Sequence, residues 1–104
     1  MKTVQFTIPT RSNDGRMVYD RERFENSALS FGGGFTYFGE VSGGWIGKDG
    51  AVQREQMYVY QVAGFDGAIE GLILHLPRLF PDQQAFYVLE LGEANMILNP
   101  RATK

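Results

Sequence analysis

The sequence predicts an α+β domain with the element order β-α-β-β-α-β, and three observations predict it. A period-2 strand pattern opens the chain, two stretches of helical periodicity flank a pair of long strands joined by an Asp-Gly turn, and a near-continuous apolar strand comes last.

Val4, Phe6 and Ile8 alternate with Thr3, Gln5 and Thr7, as in a strand with one buried face, and Pro9 stops it. Arg11-Ser12-Asn13-Asp14-Gly15 is turn chemistry: Asn and Asp bond their own backbone, and Gly accepts positive φ. From Asp20 as N-cap, Phe24, Ala28 and Phe31 share one helical face, Arg21, Glu22, Arg23, Glu25 and Asn26 cover the rest, and Gly32 supplies the stop. Residues 35 to 46 and 51 to 63 read as two long strands joined by Gly47-Lys48-Asp49-Gly50. A second helix follows, capped by Asp66, with Ile69, Leu72, Ile73, Leu76 and Phe80 as its apolar stripe; Pro77 is expected to kink or end it. The last strand is Ala85 to Leu91, Gly92-Glu93 is a turn or bulge, and Ala94 to Leu98 either extends the strand or folds back. Two helices on one face of a four-stranded antiparallel sheet, with a long central hairpin, make the ferredoxin-like arrangement.

The 104 residues suit one such domain, taken here as residues 1–99, with a flexible tail over 100–104. A net charge of −2 argues against nucleic acid as the partner, because affinity for phosphates needs clustered Lys and Arg. The absence of cysteine excludes a disulfide framework and fits a reducing, cytoplasmic setting. Nothing at the N-terminus resembles a signal peptide, and no apolar run approaches the ~20 residues of a membrane span, so no membrane partner is expected.

The hairpin carries the functional argument. Pairing through the 47–50 turn puts Ile46 opposite Ala51, Val41 opposite Gln56, Tyr37 opposite Tyr60 and Phe35 opposite Val62. One face then holds Phe35, Tyr37, Val41, Trp45, Val52, Tyr58, Tyr60 and Val62, and the other Phe38, Ile46, Met57, Val59 and Ala63. Both faces are apolar, whereas one layer of helices covers only one of them. The second face is therefore expected to be covered by another subunit, a ligand or a partner chain. Strands of about twelve residues reach roughly 40 Å, against about 18 Å for a helix of that length, so the turn end should project as an arm. Ser42-Gly43-Gly44 is a candidate β-bulge that would exchange the faces beyond it.

Chemistry-bearing motifs are sparse. His75, the single histidine, lies at the edge of the second helix's apolar stripe, where a boundary role is the ordinary one. No metal-ligand spacing and no Gly-x-Ser-x-Gly elbow is present, so neither a metal, a cofactor nor a catalytic residue is expected. Gly32-Gly33-Gly34 follows a helix instead of preceding one, which makes it a cap and not a phosphate loop. Arg54 and Glu55 beside Tyr58 and Tyr60 are first of all solvated charges and a cross-strand pair on an ordinary hairpin, and alternatively a polar site lined by aromatics. Arg54 to Tyr60 has a faint likeness to the strand on which four-stranded RNA-binding domains stack bases, but Glu55 and Gln56 replace the glycine and aromatic that stacking requires.

The run Phe31-Gly32-Gly33-Gly34-Phe35-Thr36, with Gly44-Trp45, Gly50, Glu55 and Tyr58-Val59-Tyr60, resembles small uncharacterised bacterial proteins of the ferredoxin-like superfamily, similar to the dimeric α+β barrel group. The resemblance implies fold and pairing. It also implies a range of functions: monooxygenases, small-molecule isomerases and binding modules. The reading reached is a homodimeric binding module holding a small apolar or aromatic ligand against the sheet, with Tyr37, Trp45, Arg54, Glu55, Tyr58, Tyr60 and His75 as ligand or interface candidates. Two alternatives stand beside it: an accessory protein of a mobile element that docks its arm on a protein partner, and a cofactor-free enzyme of the barrel type using His75 or Arg54.

Overall fold

A computed structural model describes residues 1–83 and 85–102. Its elements are β1 (Lys2–Pro9), α1 (Arg21–Ser30), β2 (Gly34–Ile46), β3 (Val52–Gly64), α2 (Asp66–Leu79), β4 (Tyr87–Glu93) and a 3₁₀ turn at Pro100–Ala102. The strands form one antiparallel sheet in the order β2-β3-β1-β4, with both helices on one side, which is the ferredoxin-like α+β fold. Of the C-terminal tail, Thr103 and Lys104 lie outside the described residues.

The core lies between sheet and helices. Val4, Phe6 and Ile8 from β1 and Tyr58, Tyr60 and Val62 from β3 meet Phe24 and Ala28 of α1 and Ile69, Leu72, Leu76 and Leu79 of α2. Asp20 caps α1 by accepting the Glu22 N–H at 3.0 Å. The other end is a Schellman closure, in which the Gly33 N–H reaches the Ala28 carbonyl and the Gly32 N–H that of Leu29, each at 3.1 Å. It needs the φ of +89° that Gly32 supplies. A Cβ on Gly33 would come within 2.9 Å of Val62 Cγ1, so the chain enters β2 through a gap only glycine fits.

Two expectations for α2 are corrected. Its N-cap is Phe65, without a side-chain bond, and Asp66 is the first helical residue. Of the two outcomes expected at Pro77, a kink or an end, the end is overturned: the helix continues to Leu79. The proline sits so near the C-terminus that it removes one backbone bond, while buried Leu76 and Leu79 hold the final turn and the Phe80 N–H reaches the Leu76 carbonyl at 2.9 Å.

The hairpin register is corrected as well. Phe35 opposes Val62 and Tyr37 opposes Tyr60 as expected, but Ile46 opposes Val52 and Val41 opposes Met57. The connection takes one residue more than the sequence suggested, residues 47–51 instead of 47–50: Gly47 N–H bonds the Ala51 carbonyl at 2.9 Å, and Gly50 N–H bonds the Gly47 carbonyl at 3.0 Å with Gly50 at φ +81°. That is a type I turn closed by a left-handed glycine. The one-residue offset is absorbed by a bulge between Tyr37 and Gly39, where Gly39 has φ +109°. The bulge thus lies five residues before Gly44, not within Ser42-Gly43-Gly44.

β1 pairs with β3 only from Met57 onward, so β2 is the one strand that Val52–Gln56 pairs with and the hairpin runs out as a two-stranded arm. The molecule measures 59 × 22 × 21 Å. Thr10, buried at the end of β1, donates its hydroxyl to the Gln56 carbonyl at 3.0 Å and so ties down the root of the arm.

Candidate functional site

The structure divides the predicted site residues into three groups. Tyr37, Tyr58 and Tyr60 come together on the helix side of the sheet, with ring centroids 5.0 Å apart for Tyr37 and Tyr60 and 6.2 Å for Tyr37 and Tyr58. They belong to the core: Tyr60 is fully buried and Tyr58 is 8% exposed. The Arg21 guanidinium lies 3.6 Å from the centre of the Tyr37 ring, a cation–π contact, and its Nε donates to the Tyr60 hydroxyl at 3.2 Å. That hydroxyl donates to Glu25 Oε2, which also pairs with Arg21 at 3.3 Å. Burial, then the bond to Glu25, pushes the Tyr60 hydroxyl well above the ordinary tyrosine range.

Trp45 does not join them. The bulge turns the β2 residues beyond it over, so Val41 and Trp45 lie on the side of the sheet away from the helices. Trp45, opposite Gln53, instead lines with Arg54 and Glu55 a groove of about 890 Å³ where β1 ends and the arm continues, bounded by Met57, Asn13 and Tyr87. His75 lies in neither group: its ring is edge-on to Phe31 at 5.5 Å, and it lines neither this groove nor the second cleft described below.

The open face is where the apolar surplus remains. Phe38 is 56% exposed, Trp45 54%, Leu89 55% and Tyr87 76%, and the register sets Met57 and Val59 between them. The tyrosines that motivated the sequence argument are sheltered by the chain's own helices, whereas these side chains are not.

A second, shallower cleft of about 520 Å³ lies at the start of α1, lined by Val18, Tyr19, Asp20, Arg21, Glu22, Glu25 and Tyr58. Burial and then the charge of Glu40 raise the Tyr58 hydroxyl above its ordinary range. Tyr19 is pushed up to about 12 by burial and by the hydrogen bond it donates to Asp82. Sequence reasoning missed Arg21 and Glu25, read as solvated helix surface. Their spacing of four residues was the available signal, since it stacks them on one side of the helix.

Among the described residues, no three His, Asp or Glu side chains converge to hold a metal ion, and no helix is long and apolar enough to cross a membrane.

No family model matches the chain, and no curated protein matches it. Solved structures do. The divalent ion tolerance protein CutA1 from Ehrlichia chaffeensis aligns with a TM-score of 0.64 over 96% of this chain and 85% of its own, at 10% identity. A CutA1 variant from Pyrococcus horikoshii aligns at 0.57 over 97% and 89%, with 13% identity. CutA from the same organism, in guanidine hydrochloride, gives 0.52 over 91% and 88% at 16% identity. At such identities the likeness establishes a shared fold: this chain has the small α+β architecture of the CutA1 proteins.

Proposed function

We propose that the protein is a self-associating binding module, in its simplest form a homodimer, in which a second copy covers the open sheet face and the groove at Trp45, Arg54 and Glu55 receives a small ligand with an apolar or aromatic body. One observation supports this above all: Phe38, Trp45, Leu89 and Tyr87 are each more than half exposed on the sheet face that no helix covers. Large apolar side chains left uncovered on one sheet face in this number mark an interaction site. The groove lining combines the Trp45 ring with two guanidinium groups, Arg11 and Arg54, and one carboxylate, Glu55, enough to orient a ligand whose body stacks on Trp45. Light scattering after size exclusion tests the assembly. The wild type is expected at twice the chain mass or more, and Phe38→Glu with Leu89→Lys at the mass of one chain; a wild type already at one chain mass overturns the reading.

The CutA1 likeness favours a second reading, in which the assembly handles divalent ions. Because three ligating side chains do not converge among the described residues of one chain, such an ion would be held between copies. Equilibrium dialysis against a divalent cation checks this: stoichiometric binding that disappears in the Phe38→Glu, Leu89→Lys variant supports it, and no binding by the wild type removes it.

A further inference from the structure

We propose that the groove where β1 ends takes a short extended peptide with acidic side chains, added to β3 as a further strand along Val52–Gln56. The inference rests on the reading of this groove as the ligand site, and it names the class of ligand. The lining shows that the groove follows an edge. Side chains alternate along a strand, so Gln53 and Glu55 stand on the Trp45 side of β3 and Arg54 and Gln56 on the helix side, yet all four line the same groove. A cavity walled by both faces of a strand runs beside its backbone.

That backbone is open. The bond from the Gly47 N–H to the Ala51 carbonyl makes those two residues a bonded pair, and bonded and non-bonded pairs alternate along an antiparallel ladder. Gln53 and Glu55 therefore turn N–H and C=O toward β2, and Val52, Arg54 and Gln56 turn theirs outward. Further along β3 the outward set, Tyr58, Tyr60 and Val62, meets β1, and the Gln56 carbonyl still accepts the Thr10 hydroxyl at 3.0 Å. Beyond it β1 has ended, and no described residue bonds the outward N–H and C=O of Val52 and Arg54. The whole stretch is exposed. Such a row of alternating donors and acceptors is what an added strand pairs with.

Charge selects among peptides. Arg11 and Arg54 against Glu55 give the lining a charge of +1, opposite in sign to the whole chain at −2. Arg54 has no ion pair among the described residues, so its charge is available to a carboxylate. Residues opposite each other across a ladder share a face. A peptide residue opposite Arg54 thus sends its side chain to the Arg54 side, which suits Glu or Asp. Its neighbour opposite Gln53 sends one to the Trp45 side, which suits an aromatic ring.

NMR titration of the full chain with acetyl-Thr-Glu-Phe-Glu-Thr-amide, at constant ionic strength, tests the proposal. Saturable shifts are expected at the Val52–Gln56 amides and the Trp45 indole. Methylating the backbone nitrogen of both glutamates, which face β3 in this register, should weaken binding by about tenfold or more, because it removes two backbone hydrogen bonds. Arg54→Gln, an exposed substitution, should weaken it by about threefold, the size of one surface ion pair. Equal affinity of the methylated peptide, or of one with lysine in place of both glutamates, overturns the proposal while leaving the groove as a site for an aromatic body. No shift at Trp45 with any of the peptides overturns the ligand site as well. Dilution shifts confined to Val52–Gln56 in the Phe38→Glu, Leu89→Lys variant would assign the edge to a second copy and overturn the proposal too.

Discussion

Tyr60 sits at 0% exposure with its hydroxyl shared between Glu25 and Arg21, so its oxygen was taken from water and given two protein partners. Tyr60→Phe leaves the half-buried carboxylate and guanidinium facing each other without it, and a loss of about 1–3 kcal/mol is expected in urea unfolding. The same environment fixes a pH dependence. The folded-state pKa values of Tyr60 and Tyr19 lie above the ordinary tyrosine value, with Tyr19 at about 12. Their contribution is complete below about pH 10 and falls as the pH rises from there, because the unfolded chain loses its phenolic protons first. Thermal melts from pH 8 to 11 should show this decline, and Tyr19→Phe should flatten it. Part of the network was legible: the alternation of Tyr58, Tyr60 and Val62 picks out one face of a strand. Arg21 and Glu25 were not, because a charged pair on a helix looks the same in sequence whether it meets water or a buried phenol.

The hairpin shows how far pattern reasoning reaches at the level of an element. Strand order, both helices and the Asp-Gly turn follow from periodicity and turn chemistry, and the pairing of Tyr37 with Tyr60 follows from counting back from the turn. The count succeeds at that end because two one-residue effects cancel, a connection longer by Ala51 and the extra β2 residue, Phe38, in the bulge. Between them they do not cancel, and there the faces of Val41, Trp45 and Ile46 are exchanged. Ser42-Gly43-Gly44 offers the stronger local signal for a bulge, yet the irregularity falls at Gly39, beside the point where the sheet leaves the helical layer. Gly39→Ala tests the assignment. Its Cβ finds open space, so the cost is backbone strain alone, about 1–2 kcal/mol in chemical denaturation. Gly34→Ala, in equally open space but without positive φ, should cost less.

At the scale of the molecule, the sequence argument that one helical layer cannot shelter every apolar side chain holds, but the uncovered residues only partly coincide with the candidates it named: Trp45 stays exposed and the three tyrosines do not. The helices take in Tyr37, Tyr58 and Tyr60, and the uncovered set is Phe38, Trp45, Tyr87 and Leu89. Of the uncovered set, Trp45 owes its face to the bulge, which no composition or periodicity reveals, while Tyr87 and Leu89 owe theirs to the pairing of β4 with β1. The single tryptophan makes the proposed assembly visible: Trp45 emission in the wild type should lie to the blue of that in the Phe38→Glu, Leu89→Lys variant, and identical spectra would mean that the ring stays wet in both. The way the hairpin outruns β1 has a further consequence. Past Met57 each rung of the ladder has one neighbour instead of two, so deuterium should enter the amides of Val52–Gln56 far sooner than those flanking Tyr60. Any molecule that grips the projecting ribbon would slow that uptake there first, leaving a footprint readable without knowing what the molecule is.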